Sequence, residues 1–198
     1  VMYYYNSKEF TELLLAQPIK RSTIFMGQYL GISISLTLSL VLGLGIPFLM
    51  YGLFLSAAVF DFALLLAVGS LLNFIFVALA FNIAMSNENK IKGFGYAILL
   101  WLFMAVIYDG IFLISLVVFN EYPLDRLALF ATMFNPIDLS RILILLKLDI
   151  SALLGYTGAV FKTFFGTGLG FFLSISIMVL WVLIPVGRMR LKLKKKDF

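Results

Sequence analysis

The chain has 198 residues, 63% of them hydrophobic and 13% charged, with a formal net charge of +5 and neither Cys nor His. Soluble domains run nearer half apolar and a quarter charged, so this composition excludes an ordinary soluble fold and points to the bilayer. It also excludes a disulfide framework, a thiolate metal site and histidine base chemistry, while basic residues beside apolar spans report topology before they suggest nucleic acid.

In chain order, Met2-Tyr3-Tyr4-Tyr5 behind Val1 is no signal-peptide n-region, which gives the expectation of a longer protein with spans before Val1. Asn6 and Glu9 have capping-box spacing, with Asn in place of the usual Ser or Thr. Phe10, Leu13 and Leu14 then share one helical face, and Lys8, Glu9, Thr11 and Glu12 fall largely on the other. Pro18 ends the helix, because a proline disfavours helix at the residue before it. Two readings of this amphipathic helix stay open. It lies in the headgroups, or it docks a cytoplasmic partner with Glu9 and Glu12 facing it.

From Ser22 to Asn87 the one charge is Asp61, and Gly43, Gly45, Pro47 and Gly52 supply the break. The expected fold is an all-α integral membrane protein, a helical bundle of about four visible transmembrane helices in a single domain, 1–198. Its parts are an initial segment 1–22, spans at 23–46, 60–85, 93–119 and 168–187, an outer helical segment 120–166 and a basic tail 188–198. Lys8, Lys20, Arg21, Lys90, Lys92 and six tail residues lie on one side, against Arg126, Arg141, Lys147 and Lys162 on the other. The positive-inside rule therefore places the initial segment, the 86–92 turn and the tail in the cytoplasm.

Gly27, Gly31, Ser35, Ser39 and Gly43 recur every fourth residue of the first span, and Gly166, Gly170 and Ser174 repeat the idea in the last. Small residues let backbones approach closely, so these stripes predict helix packing, within the chain or across a dimer. Asp109 lies 16 residues after Gly93, roughly 24 Å along the axis. An intramembrane acid is either a transport or gating group or a structural hydrogen-bonding partner; Tyr108, Trp101, Asn73 and Asn82 are the expected neighbours. In the outer segment, Asn135-Pro136 reads as an N-cap followed by proline at the first helical position. Ile137 to Leu154 is then helix-compatible, with Asp138, Arg141 and Asp149 on one face and Ser140, Lys147 and Ser151 on the other. Two polar faces predict a helix between protein and headgroups, or two short helices folded as a hairpin into the outer leaflet, re-entering through Gly155, Gly158, Gly166 and Gly168. This makes the segment a candidate outer gate. No nucleotide-binding P-loop, zinc-protease or nucleophile-elbow motif occurs.

Glu12-Leu13-Leu14-Leu15-Ala16-Gln17-Pro18-Ile19-Lys20-Arg21, followed by Gly27-Gln28-Tyr29-Leu30-Gly31, resembles the cytoplasmic segment and next span of ABC-2 type transporter permeases. Leu100-Trp101-Leu102 with Tyr108-Asp109, the run Asn135-Pro136-Ile137-Asp138-Leu139-Ser140-Arg141, and Leu154-Gly155-Tyr156-Thr157-Gly158-Ala159 resemble more narrowly the permeases of the system that matures the copper sites of nitrous oxide reductase. The resemblance covers essentially the whole chain and implies six spans, of which the present ones match the last four. It implies a coupling helix at about 6–18, with Glu9, Glu12, Leu13, Leu14, Pro18 and Arg21 toward a separate ATP-binding subunit. It implies outer re-entrant hairpins within 120–166, where Asn135, Pro136, Asp138, Arg141 and Asp109 are the candidate gate residues. It further implies a non-enzymatic chain without cofactor, with ATP and Mg on the partner, in the bacterial inner membrane, paired with a second permease copy and a periplasmic accessory protein. The cargo implied is a sulfur species. The residues leave other readings open: another cargo, an ion- or proton-coupled secondary transporter using Asp109, or a non-transporting membrane assembly subunit.

Overall fold

The structure is a computed structural model that describes residues 1–52, 59–119, 125–147, 164 and 167–195. Two short helices, α1 (Met2–Asn6) and α2 (Lys8–Leu15), precede the long helices α3 (Arg21–Met50) and α4 (Val59–Ser86). Next, α5 (Lys90–Leu102) runs through a π-helical turn, Phe103–Ile107, into α6 (Tyr108–Val118). Then come α7 (Asp125–Phe134), α8 (Pro136–Lys147) and α9 (Gly168–Lys195). Among the described residues, four helices are long and apolar enough to cross a membrane: α3, α4, the joined α5–α6 and α9. The chain is an all-α membrane bundle.

The first span ends later than the sequence predicts. Pro47 lies inside α3, which continues to Met50, and Gly52 at φ 67° supplies the stop. A proline removes one backbone donor without ending a helix that lipid forces to keep its remaining bonds. A positive φ suits glycine, which has no Cβ to clash. Likewise α9 runs through Pro185 and past residue 187 to Lys195, so the described part of the basic tail extends the span as helix. Asn6 and Glu9 do not form a capping box. Ser7 precedes α2 with no side-chain cap, its hydroxyl donating instead to the Tyr3 carbonyl at 2.8 Å.

At the centre stands α4, against which α3, α5, α8 and α9 pack. Near one end, Phe25, Tyr29, Phe81, Met85 and Met189 build a core between α3, α4 and α9. Farther along, Val68, Ile75, Leu139, Leu143 and Met178 build a second core between α4, α8 and α9. The outward surfaces stay apolar, as at Leu42, Val117, Phe172 and Ile184, which is what lipid solvates.

The end that carries Lys20, Arg21, Lys90 and Lys192 is tied by polar contacts. Tyr5 Oη donates to the Asn87 carbonyl at 2.6 Å, and Lys90 Nζ donates to Asn6 Oδ1 at 2.8 Å. Asn89 caps α5 by accepting from the Ile91 and Lys92 amides. Tyr4 rings meet Phe25 and Phe81. These contacts plant α1 against the 86–92 turn.

Candidate functional site

Two polar constructions stand out, one near mid-span and one at the basic end of the bundle. The first is an elbow. Helices α7 and α8 meet at Asn135 with a bend of 116° between Ala128–Phe134 and Pro136–Leu146. A bend beyond a right angle turns α8 partly back against α7. Local chemistry sets the corner. Asn135 Oδ1 accepts from the Ile137 amide at 3.1 Å, an N-cap, and Pro136 fits the first helical position because that residue needs no donor.

Asn135 is buried, and its Nδ2 donates twice: to Asp138 Oδ2 at 2.8 Å and to the Met104 carbonyl at 2.7 Å. Met104 belongs to the π-helical turn, where the Tyr108 amide reaches back five residues to the Phe103 carbonyl. Such turns shift the backbone ladder and turn carbonyls toward outside donors. The π turn and the cap therefore meet as one joint between the third span and the elbow. Tyr108 Oη adds a bond to the Ala131 carbonyl at 2.6 Å, and Trp181 Nε1 on α9 donates to the Met133 carbonyl at 3.2 Å.

Arg141 closes the cluster. Its Nη1 stands 3.1 Å from Asp109 Oδ2, and its Nη2 pairs with Asp138 Oδ1. Asp138 is 7% exposed, whereas the Arg141 side chain is 43% exposed. One guanidinium thus bridges α6 and α8, neutralising the buried carboxylate of Asp138 and the half-buried one of Asp109. All four polar gate candidates, Asp109, Asn135, Asp138 and Arg141, come together here, with Pro136 at the corner. Among the described residues the Asp109 carboxylate bonds Arg141 and none of Tyr108, Trp101, Asn73 or Asn82. Tyr108 bonds the α7 backbone instead, and Asn82 works near the basic end, its Nδ2 donating to the Ala78 and Pro185 carbonyls at 2.9 and 2.7 Å. Trp101 is exposed. Asp149, Ser151, Gly155, Gly158 and Gly166 lie outside the described residues.

The second construction is α2. Thr11 is buried against α3, with Oγ1 accepting from Gln28 Nε2 at 2.8 Å and donating to the Ser7 carbonyl at 2.7 Å. At 100° per residue, Glu9 and Leu13 lie about 200° from Thr11 and so point away from the bundle. Phe10 is 60% and Leu13 70% exposed, and Glu9, Glu12, Pro18 and Arg21 are exposed as well. The division read from the sequence is corrected here. Thr11 belongs to the inner face, and Leu14, half-buried, leans the same way, because Gln28 satisfies the threonine hydroxyl inside.

The small-residue stripe of α3 points outward. Gly27, Gly31, Ser35, Ser39 and Gly43 are exposed, and a Cβ built on any of the three glycines would meet nothing within 4 Å. In α9 the matching residues face inward: Gly170 and Ser174 are buried. Sequence reasoning missed the Gln28–Thr11 bond, the Met104 carbonyl and the Tyr5–Gly93 contact. Only the last had a local trace, a glycine in the first turn of a span.

No family model matches the chain. Two curated proteins are similar to it. The probable ABC transporter permease protein NosY of Stutzerimonas stutzeri is 28% identical over 182 residues, which cover 86% of this chain and 60% of that protein. The probable ABC transporter permease protein NosY of Pseudomonas aeruginosa is 28% identical over 149 residues, covering 71% of this chain and 53% of that protein. The chain thus spans a little over half the length of the curated relatives it matches. Along most of its own length it is similar to ABC transporter permeases, and among them to the NosY type.

Proposed function

We propose that this chain is the membrane-spanning permease part of an ATP-driven ABC-2 type exporter, with ATP hydrolysis on a separate nucleotide-binding subunit. The observation that carries this reading is the outward face of α2, where exposed Phe10 and Leu13 stand beside exposed Glu9 and Glu12. Apolar side chains among carboxylates suit a protein groove with a basic rim. They suit an anionic headgroup layer poorly, because the membrane surface repels acids. The Thr11–Gln28 bond and the α1 contacts give this face a firm seat. The two NosY-named relatives support the same class.

In this reading the basic end is cytoplasmic by the positive-inside rule, and the membrane is the bacterial inner membrane. The elbow at Asn135 is the outer gate, held by Arg141. The outward stripe of α3 packs against a second copy of the permease. The cargo is a sulfur species destined for nitrous oxide reductase maturation, received by a periplasmic accessory protein; this finer part rests on the resemblance of the Asn135–Arg141 and Leu154–Ala159 runs. The test is co-purification of the full-length protein from gently solubilised membranes. A P-loop ATPase should accompany the wild type, and Glu12→Lys with Leu13→Asp should release it while insertion persists. Retention of the ATPase by that variant would remove α2 from the contact.

A further inference from the structure

A cleft of about 570 Å³ opens between α4, α5 and α9 toward the basic end. Among the described residues its lining holds two cations, Arg188 and Lys192, and no carboxylate. Lys192 Nζ also reaches the Asn82 carbonyl at 3.3 Å and Ser86 Oγ. The rest of the wall is largely apolar, with Leu79, Ile83, Leu100, Trp181 and Ile184. On α9, Trp181 lies seven residues before Arg188, roughly 10 Å deeper toward the middle of the span. The cleft is therefore cationic at its outer end and apolar inward.

A free inorganic anion would meet the two cations but leave the apolar wall bare. An anionic glycerophospholipid meets both features at once.

We propose that this cleft binds one anionic glycerophospholipid from the surrounding leaflet, its phosphate on Arg188 and Lys192 and an acyl chain along Trp181 and Leu100. The site is independent of the ATPase contact and of the cargo. A cationic rim above an apolar wall selects a lipid by charge, and each cation near the membrane surface contributes about fivefold in affinity.

Trp181 in the wall is the reporter. The full-length protein with Trp101 and every tryptophan outside these 198 residues replaced by Phe is reconstituted into phosphatidylcholine vesicles, and brominated phosphatidylglycerol or brominated phosphatidylcholine is added to quench the indole. The cleft should favour the anionic lipid by about fivefold or more, and Arg188→Gln with Lys192→Gln should bring the ratio close to one. Arg188→Gln alone alters an exposed side chain, keeps the fold and should remove part of the preference. Equal quenching by both lipids, or a preference that survives both substitutions, would overturn the proposal. Loss of the preference on adding inorganic phosphate, but not chloride at matched ionic strength, would overturn it in favour of a free-anion site.

Discussion

The hydroxyl of Tyr5 fills the space in which a side chain at Gly93 would begin. A Cβ there would sit inside contact distance of Tyr5 Oη and 2.9 Å from Cζ. The same hydroxyl donates to the Asn87 carbonyl at 2.6 Å, so it cannot withdraw without losing that bond. This close approach docks α1 on the turn between the second and third spans.

Gly93→Ala should therefore lower stability by about 1–3 kcal/mol, the usual cost of overpacking, even though alanine favours helix. In a Tyr5→Ala background the same change should be neutral or stabilising. Thermal unfolding in detergent, run as a double-mutant cycle, checks this. Additive effects would show that Tyr5 is not what restricts residue 93.

Arg141 and Asp138 predict a second non-additivity. Arg141→Gln leaves the buried Asp138 carboxylate with the Asn135 amide alone, and should cost about 1–3 kcal/mol, tempered by the exposure of the arginine. Adding Asp138→Asn removes the uncompensated charge, so the double variant should be more stable than Arg141→Gln alone. The same thermal assay reads it; a double variant weaker than the single would deny that charge pairing holds the elbow.

How much of this was legible in the sequence depends on the range of the signal. The number of spans and the Asn135-Pro136 cap are local, and the residues spelled them out, although α3 and α9 run past the expected ends at 46 and 187. The clustering of Asp109 with Arg141 was half legible. Asp138 and Arg141 share a helical face by spacing, but their pairing with Asp109 crosses 32 residues and depends on the π turn that aims Met104 at Asn135. No residue type announces that turn. The two small-residue stripes look alike in sequence, yet one faces out and the other in. In lipid both sides of a span are apolar, so hydrophobicity cannot say which side faces protein. For α2, the usual rule that polar means outward failed at Thr11, because its inside partner, Gln28, lies 17 residues away.

The outward stripe of α3 gives a third prediction. A Cβ at Gly31 meets no atom within 4 Å in the single chain and the position is exposed, so Gly31→Leu should fold and insert as the wild type does. If a second copy packs on this face, the leucine should block the close approach that small residues permit. Light scattering of the detergent-solubilised full-length protein should then show two copies for the wild type and one for the variant. An unchanged mass at two copies would move the pairing surface off α3.

Asp109 separates two transport mechanisms. Its carboxylate is held by Arg141 across the joint between α6 and α8, and in the reading proposed above it serves as a fastening. Asp109→Asn keeps the shape and an acceptor oxygen but removes one charge from the bridge. Arg141 retains Asp138, so the loss in stability should be smaller than for Arg141→Gln, about 1 kcal/mol or less given the exposure of the pair. In vesicles holding the whole transporter, the variant should still move cargo with ATP, at an altered rate as the elbow loosens, and a pH gradient should not drive transport in the wild type. A wild type driven by a proton gradient without ATP, and silenced by Asp109→Asn, would instead make Asp109 the coupling group and turn the salt bridge into its resting state.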